Sequence, residues 1–494
     1  MGEVLHKLLE RNARKYSDEC GVMSLDYGEE WTWAELNSRA NGVAAALMRA
    51  GLEPGERVAL VIPNRPEFLA AFFGILKAGG VVVPVNVRLV KPEIEYIVND
   101  CQAKMLIYDG GLDVIGKEIS EDCVALTNVW ELSELTNSEA LSPSLNISVD
   151  DVAEIIYTSG TTGKPKGVVL THNCAYEVGT MMAYEADIRY QDRMMLLMPL
   201  THSAPLNLFM IGALYAGAVC VVGNFTPQAI LDTCQQAKTT HFFGAPVAYL
   251  LAMQAKGFAE YDLSSAKCWI YGGAPMGKEA LELVRSKFPG KFMSVYGLTE
   301  SGPNGVALFP DEHDEHGGSI GRRGAVNCEV KVVAESGLTA QAGEEGEIYL
   351  KSPSVMLKYH NKPEATEEVL TDGWIKTGDV AKIDQDGYIW VMGRKKDVII
   401  SGGVNVYPKE IEDVLAQHPQ VADAAVVGVP HDQWGETVMA VIVPKGEAPK
   451  PSELQHFCEK NLADFKIPKF FRFDQAIPRN ASGKILKHQI KREA

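Results

Sequence analysis

The run Tyr157-Thr-Ser-Gly-Thr-Thr-Gly-Lys-Pro-Lys-Gly-Val168 packs four serine and threonine hydroxyls, three glycines and two lysines into twelve residues. A loop without bulky side chains lets backbone N–H groups come close to a polyanion. Hydroxyls at Thr158, Ser159, Thr161 and Thr162 can donate to phosphate oxygens, and Lys164 or Lys166 can offset charge. A polar hairpin turn would use the same residue types, but it has no use for this density of donors and cations. The run therefore reads as a phosphate-handling loop. It is not a Walker A loop, because Gly163-Lys164 is followed by Pro165 where that pattern needs Ser or Thr.

Further groups with chemical potential follow downstream. Tyr296-Gly-Leu-Thr-Glu300 puts glycine after an aromatic ring at the end of an apolar run, which lets a flat ring system approach, and Tyr271-Gly-Gly-Ala-Pro275 is a second glycine-rich strand end that alone would be a turn. Thr299 and Glu300 offer hard oxygen donors for a cation. Asp379, in Thr377-Gly-Asp379, expected at the start of a strand, has the chemistry to accept from a ribose diol, and Arg394 has a fork suited to phosphate. Lys484 ends Pro478-Arg-Asn-Ala-Ser-Gly-Lys484, and His202 ends the apolar run before Ser203. Taken singly, most of these are better read as a turn, a cap, a solvated charge or a structural histidine. Their order along one chain, together with the loop, makes the case.

The elements that must carry these groups alternate. Arg57–Ile62, Val81–Val83, Lys104–Tyr108, Met194–Met198, Ala218–Val222, His241–Phe243 and Lys267–Tyr271 read as short buried strands. Helices are expected at Pro66–Lys77 and Lys91–Asp100. That is the pattern of helix-covered, mainly parallel sheets, whose ligands bind beyond the strands' C-terminal ends. Pro205–Gly223 is nearly long enough and apolar enough to span a bilayer. Asn207 and the glycines interrupt it, and helix–Gly–strand patterning makes it core. From Gly318 to Lys395 the period becomes two, with turn signals, which predicts an antiparallel, barrel-like region. After Lys396 a shorter α+β region follows, with helices at Pro408–His418 and Pro451–Leu462 and strands at Val421–Val429 and Val438–Val443. The expected domains are therefore 1–395 and 396–494.

At 494 residues the chain exceeds a single core, and its 46% hydrophobic and 22% charged residues are ordinary for a globular protein. A net charge of −17 argues against nucleic acid or an anionic membrane as the main partner. The nine cysteines form no Cys-x-x-Cys or zinc spacing and predict reduced thiols in a cytoplasmic protein. Residues Met1 to Asn12 resemble no signal peptide.

With these motifs in hand, essentially the whole chain resembles the AMP-forming acyl-CoA synthetases of the adenylate-forming superfamily, with wording most like the medium- and long-chain fatty-acyl-CoA ligases. The stretches Gly318-Ser-Ile-Gly-Arg322, Asn361-Lys-Pro-Glu-Ala-Thr366 and Ile400-Ser-Gly-Gly-Val-Asn-Val-Tyr-Pro408 add to the resemblance. It implies an acid–thiol ligase: a carboxylate and ATP give acyl-AMP and pyrophosphate, then coenzyme A takes the acyl group. It implies a large N-terminal α/β domain with a barrel-like subdomain, and a small mobile C-terminal domain. Lys484 would bridge the carboxylate and α-phosphate; Thr158, Ser159, Gly160, Thr161, Thr162 and Lys166 would hold the β- and γ-phosphates. Glu300 and Thr161 would serve Mg²⁺, and Thr299 with Glu300 the nucleotide. Gly273, Ala274, Tyr296 and Gly297 would flank adenine, and Asp379 and Arg394 the ribose. Lys396 would be the hinge, with Gly402 and Gly403 guiding pantetheine. His202 would gate the acyl channel, lined by Ser203, Phe243 and Gly273; the family often has Phe where Thr201 stands, which leaves chain length open. Partners would be the acid, ATP and coenzyme A, with no nucleic acid and no transmembrane segment, in a monomer or homodimer. An aromatic-acid CoA ligase and an adenylation module that loads a carrier protein are the alternatives.

Overall fold

A computed structural model describes residues 2–112, 118–119, 123, 125–135, 145–158, 164–274, 276–401, 404–431, 435–479 and 485–492. The chain forms two compact units: residues 1–330 with 350–375, and residues 331–349 with 376–494.

The first unit is built on two large mixed sheets. One has the order Gly305–Leu308, Lys291–Gly297, Cys268–Gly272, His241–Gly244, Arg193–Leu196, Val219–Val222, Cys20–Ser24, Glu29–Thr32. Its inner strands are parallel and its two edge pairings antiparallel. The other runs Lys358–Tyr359, Lys166–Thr171, Val152–Thr158, Val81–Pro84, Arg57–Val61, Met105–Tyr108, Asn128–Glu131. The alternating strands and helices are as the sequence implies; the antiparallel edges are the addition.

Side-chain alternation assigns each strand residue to a layer. Met194 and Leu196 enter the central core, whereas Met195 and Leu197 pack on the opposite face with Phe242, Tyr249 and Trp269. Likewise Ile156, Val168 and Leu170 face the central core, and Ile155 and Val169 face the outer layer over helix Lys91–Asp100. Helices Trp33–Arg49, Pro66–Lys77 and His172–Glu185 fill the central layer between the two sheets. This explains why helix Pro66–Lys77 is buried all round instead of amphipathic.

Pro205–Gly223 is core, as its glycines imply. Ala204–Met210 is a π-helix that continues as α-helix Ile211–Ala216, ended by Gly217 in the left-handed region at φ 75°, and strand Val219–Val222 follows. Among the described residues no helix is long and apolar enough to cross a membrane.

Strand Trp374–Ile383, which enters the second unit at Lys376, pairs antiparallel with Ile389–Arg394, within the period-two region expected to be antiparallel and barrel-like. A further sheet joins Val404–Val406, Ile399–Ser401, Gly435–Pro444, Val421–His431 and Phe470–Phe473. Helices Pro408–Ala416 and Pro451–Asn461 cover one face, and Ile490 packs on the other.

Candidate active site

Sheet geometry gathers the first unit's candidates. Strands Arg193–Leu196, His241–Gly244, Cys268–Gly272 and Lys291–Gly297 are adjacent and parallel. Their C-terminal ends lead to His202 and Ser203, to Phe243, to Gly273 and Ala274, and to Tyr296 through Glu300. One edge of one sheet therefore presents all of them, which is where α/β sheets bind ligands.

Gly273 needs its residue type because its φ of 75° lies in the left-handed region, while space around it is open. Gly297 needs it for the opposite reason: a Cβ there would lie 2.1 Å from the Pro303 carbonyl oxygen. Thr299 and Glu300 open a short 3₁₀ turn, Thr299–Ser301, directly after the strand. The Thr299 and Ser203 hydroxyls are hydrogen-bonded at 2.9 Å, so the histidine loop and the Thr-Glu loop meet. His202 Nε2 is buried without a hydrogen-bond partner among the described residues. Burial lowers the His202 pKa, which keeps the imidazole neutral at pH 7. The Phe243 ring stacks on Phe209 of the π-helix, centroids 4.6 Å apart.

The phosphate-handling run joins the antiparallel strands Val152–Thr158 and Lys166–Thr171, with Thr158 opposite Lys166. Ser159, Gly160, Thr161 and Thr162 lie outside the described residues, as do Lys484, Gly402 and Gly403. Helix Lys91–Asp100 anchors the base of the hairpin. Tyr157 donates to Asp100 at 2.6 Å, the Tyr96 hydroxyl donates to the Pro165 carbonyl at 3.1 Å, and the Lys164 ammonium sits over the Tyr96 ring. Burial and the neighbouring Asp100 carboxylate push the Tyr157 phenol well up, so it stays a donor.

Tyr359 links this hairpin to the strand-end loop. Its hydroxyl donates to Glu300 Oε1 at 2.7 Å, and the Lys166 ammonium lies 4.9 Å from its ring centroid. Sequence reasoning missed this residue. Its only signal is proximity to Asn361-Lys-Pro363, and a tyrosine on a two-residue strand has no distinguishing pattern.

In the second unit Asp379 and Arg394 stand directly opposite each other on paired strands, with Asp379 Oδ1 2.7 Å from Arg394 Nε. Asp379 lies inside strand Trp374–Ile383 and not at a strand start as its sequence suggests; the Thr377 side chain bonds back to Ile348 and caps the Asp379 N–H locally. Glu347, also missed, accepts from the Gly378 N–H and from Lys395, both at 3.0 Å, and so holds this segment. Lys396 is exposed, in the turn Lys395–Asp397.

Known families and proteins match most of the chain. Residues 9–360 match the model of the AMP-binding enzyme family, and residues 410–484 that of the AMP-binding enzyme C-terminal domain. A long-chain-fatty-acid–CoA ligase of Mycobacterium tuberculosis is 35% identical over 471 residues, covering 94% of this chain and 93% of that protein. A feruloyl-CoA synthase of Amycolatopsis is 37% identical over 477 residues, covering 94% of each. The solved o-succinylbenzoate coenzyme A synthetase of Bacillus subtilis, in complex with ATP and magnesium ion, superposes with a TM-score of 0.89 at 30% identity, covering 98% of this chain and 99% of that one.

Proposed function

The chain belongs to the AMP-binding enzyme family and is an AMP-forming acyl-CoA synthetase, and on that premise we propose that its acid is a fatty acid. The observation that carries the proposal is the wall beside Ser203. The π-helix Ala204–Met210 has no ionisable side chain, and its Phe209 stacks on Phe243. Such a wall suits an uncharged acyl chain and gives a second carboxylate no partner. The relative that acts as a feruloyl-CoA synthase favours a second reading, an aromatic acid.

In the proposed reaction a carboxylate oxygen attacks the α-phosphorus of ATP, the bond to the β-phosphate breaks and pyrophosphate leaves. Attack requires two anions to meet, so stabilisation of developing charge is the main demand. Thr158 to Thr162 and Lys166 hold the leaving pyrophosphate, and Lys484 bridges the carboxylate and α-phosphate. Gly273, Ala274, Tyr296 and Gly297 flank adenine, and Asp379 with Arg394 receives the ribose. The thiol of coenzyme A then attacks the acyl carbonyl and AMP leaves, with Gly402 and Gly403 beside pantetheine and Lys396 as hinge between 1–395 and 396–494.

The donor set fits Mg²⁺ brought by the nucleotide. Among the described residues no group of three His, Cys, Asp or Glu side chains could cage a metal, and a cation held mainly by phosphates needs only one carboxylate. Glu300 and Thr161 would hold it, and it would neutralise charge on the phosphates. His202, held neutral by burial, would gate the acyl channel.

The test is ATP–pyrophosphate exchange with a fatty acid without coenzyme A, followed by thioester formation when coenzyme A is added. Exchange with aromatic acids alone would move the assignment to the second reading.

A further inference from the structure

Two polar side chains buried in the central core take no part in this chemistry. Glu154, on strand Val152–Thr158, and Asn207, mid-way along the π-helix, are both fully shielded from solvent. The Asn207 amide donates to Glu154 Oε1. One acceptor remains on each: Glu154 Oε2 and Asn207 Oδ1 are buried with no partner among the described residues. An ionised carboxylate accepts only, so it can satisfy neither atom. A proton on Oε2 supplies a donor on the acid, where the amide has an unmet acceptor. Such a proton would give the pair a second, reciprocal hydrogen bond and remove a buried charge.

Among the described residues the surroundings supply no counter-charge. Strand Val81–Pro84, paired with Glu154 through Val82, has no ionisable side chain. Neither do the facing residues Val168 to Leu170 nor the π-helix. The titratable group that faces Glu154 is the Cys174 thiol of helix His172–Glu185, itself pushed up by burial. Burial drives the Glu154 carboxyl up to about 7, against the Asn207 amide, which favours the ionised form.

We infer that Glu154 and Asn207 form a neutral carboxylic acid–carboxamide pair that fixes the π-helix to the strand ending at Thr158. Glu154, Ile156 and Thr158 share one face of that strand. The π-helix follows Ser203 directly and carries Phe209. The pair therefore sets the spacing between the phosphate hairpin and the acyl wall. The existence of the pair is independent of the proposed substrate; its effect on acid binding rests on that reading.

Infrared difference spectra of the full chain, wild type minus Glu154→Gln near pH 6, test the pair directly. A protonated carboxyl band that shifts on deuteration and is missing from the variant is expected; a carboxylate band in its place would overturn the inference. Denaturant unfolding across pH gives a second readout. Because the folded pKa is raised, the stabilisation is complete below the unfolded value of about 4.5 and is lost as pH rises through about 7. Relative to Glu154→Gln, the wild-type folding constant falls by up to about tenfold per pH unit in that window; parallel curves would refute the neutral acid. Asn207→Leu is expected to raise the KM for the acid severalfold, and an unchanged KM would refute the positioning role. Should that variant fail to fold, Glu154→Gln, nearly isosteric, decides by its two readouts.

Discussion

Replacing Tyr359 by Phe removes one hydroxyl and leaves a ring that is 6% exposed in its place. The hydroxyl's bond to Glu300 is 2.7 Å long and ends on a carboxylate that is partly buried. Hydrogen bonds to charged groups contribute about 1.5–3 kcal/mol, and the partial exposure of Glu300 argues for the lower end. About 1.5 kcal/mol corresponds to roughly a tenfold loss of kcat/KM for ATP. The loss should come with a higher Mg²⁺ midpoint, because the carboxylate offered to the cation is no longer held. ATP–pyrophosphate exchange measured over a Mg²⁺ series gives both numbers. Tyr359→Ala should lose about 0.5–1 kcal/mol more, because the ring beneath the Lys166 ammonium goes too. The strand itself should persist in both variants, held by backbone bonds from Leu357 to Val169 and from His360 to Gly167. Wild-type kinetics and an unchanged Mg²⁺ midpoint for Tyr359→Phe would refute the link between Tyr359 and a working Glu300.

Lys484→Ala should abolish acyl-adenylate formation while sparing thioester formation from supplied acyl-AMP; equal losses in the two half-reactions would remove Lys484 from the first step. Asp379→Asn breaks the pair with Arg394 and should raise the KM for ATP about tenfold. It should also erase any preference for ATP over 2′-deoxy-ATP, a comparison that isolates ribose reading from general damage. His172 accepts from the Leu5 N–H at 3.4 Å, and burial lowers its pKa to about 4. A depressed folded pKa means the stabilisation is full above the unfolded value of 6.5 and is lost as pH falls toward 4, about 3 kcal/mol in all. Urea unfolding of His172→Asn should show a flatter pH dependence between those limits, and an unaltered slope would dismiss the histidine as its source.

The fold was readable where period and punctuation agreed. Helix Lys91–Asp100 ends where its pattern ends, and Gly217 separates helix from strand inside an apolar run because only the left-handed region continues the chain there. The π-helix was not readable, since Ala204 to Met210 carries ordinary core residues and its hydrogen-bonding register depends on neighbours. Asp379 was expected at a strand start because Gly378 precedes it; Thr377 and Glu347 supply the contacts that let the strand run through. In the candidate site, residues in dense polar motifs stood out, whereas Tyr359 and Glu347 act through partners far along the chain. Glu154 and Asn207 each interrupt an apolar run, a visible anomaly, but only the sheet and π-helix bring the two anomalies together.

The most direct measurement of the central claim is release of AMP and pyrophosphate, with coenzyme A present, across a panel of fatty and aromatic acids compared by kcat/KM. The account predicts AMP and pyrophosphate in equal amounts, with fatty acids preferred over cinnamate- and benzoate-type acids. ADP as product, or turnover confined to aromatic acids, would contradict it.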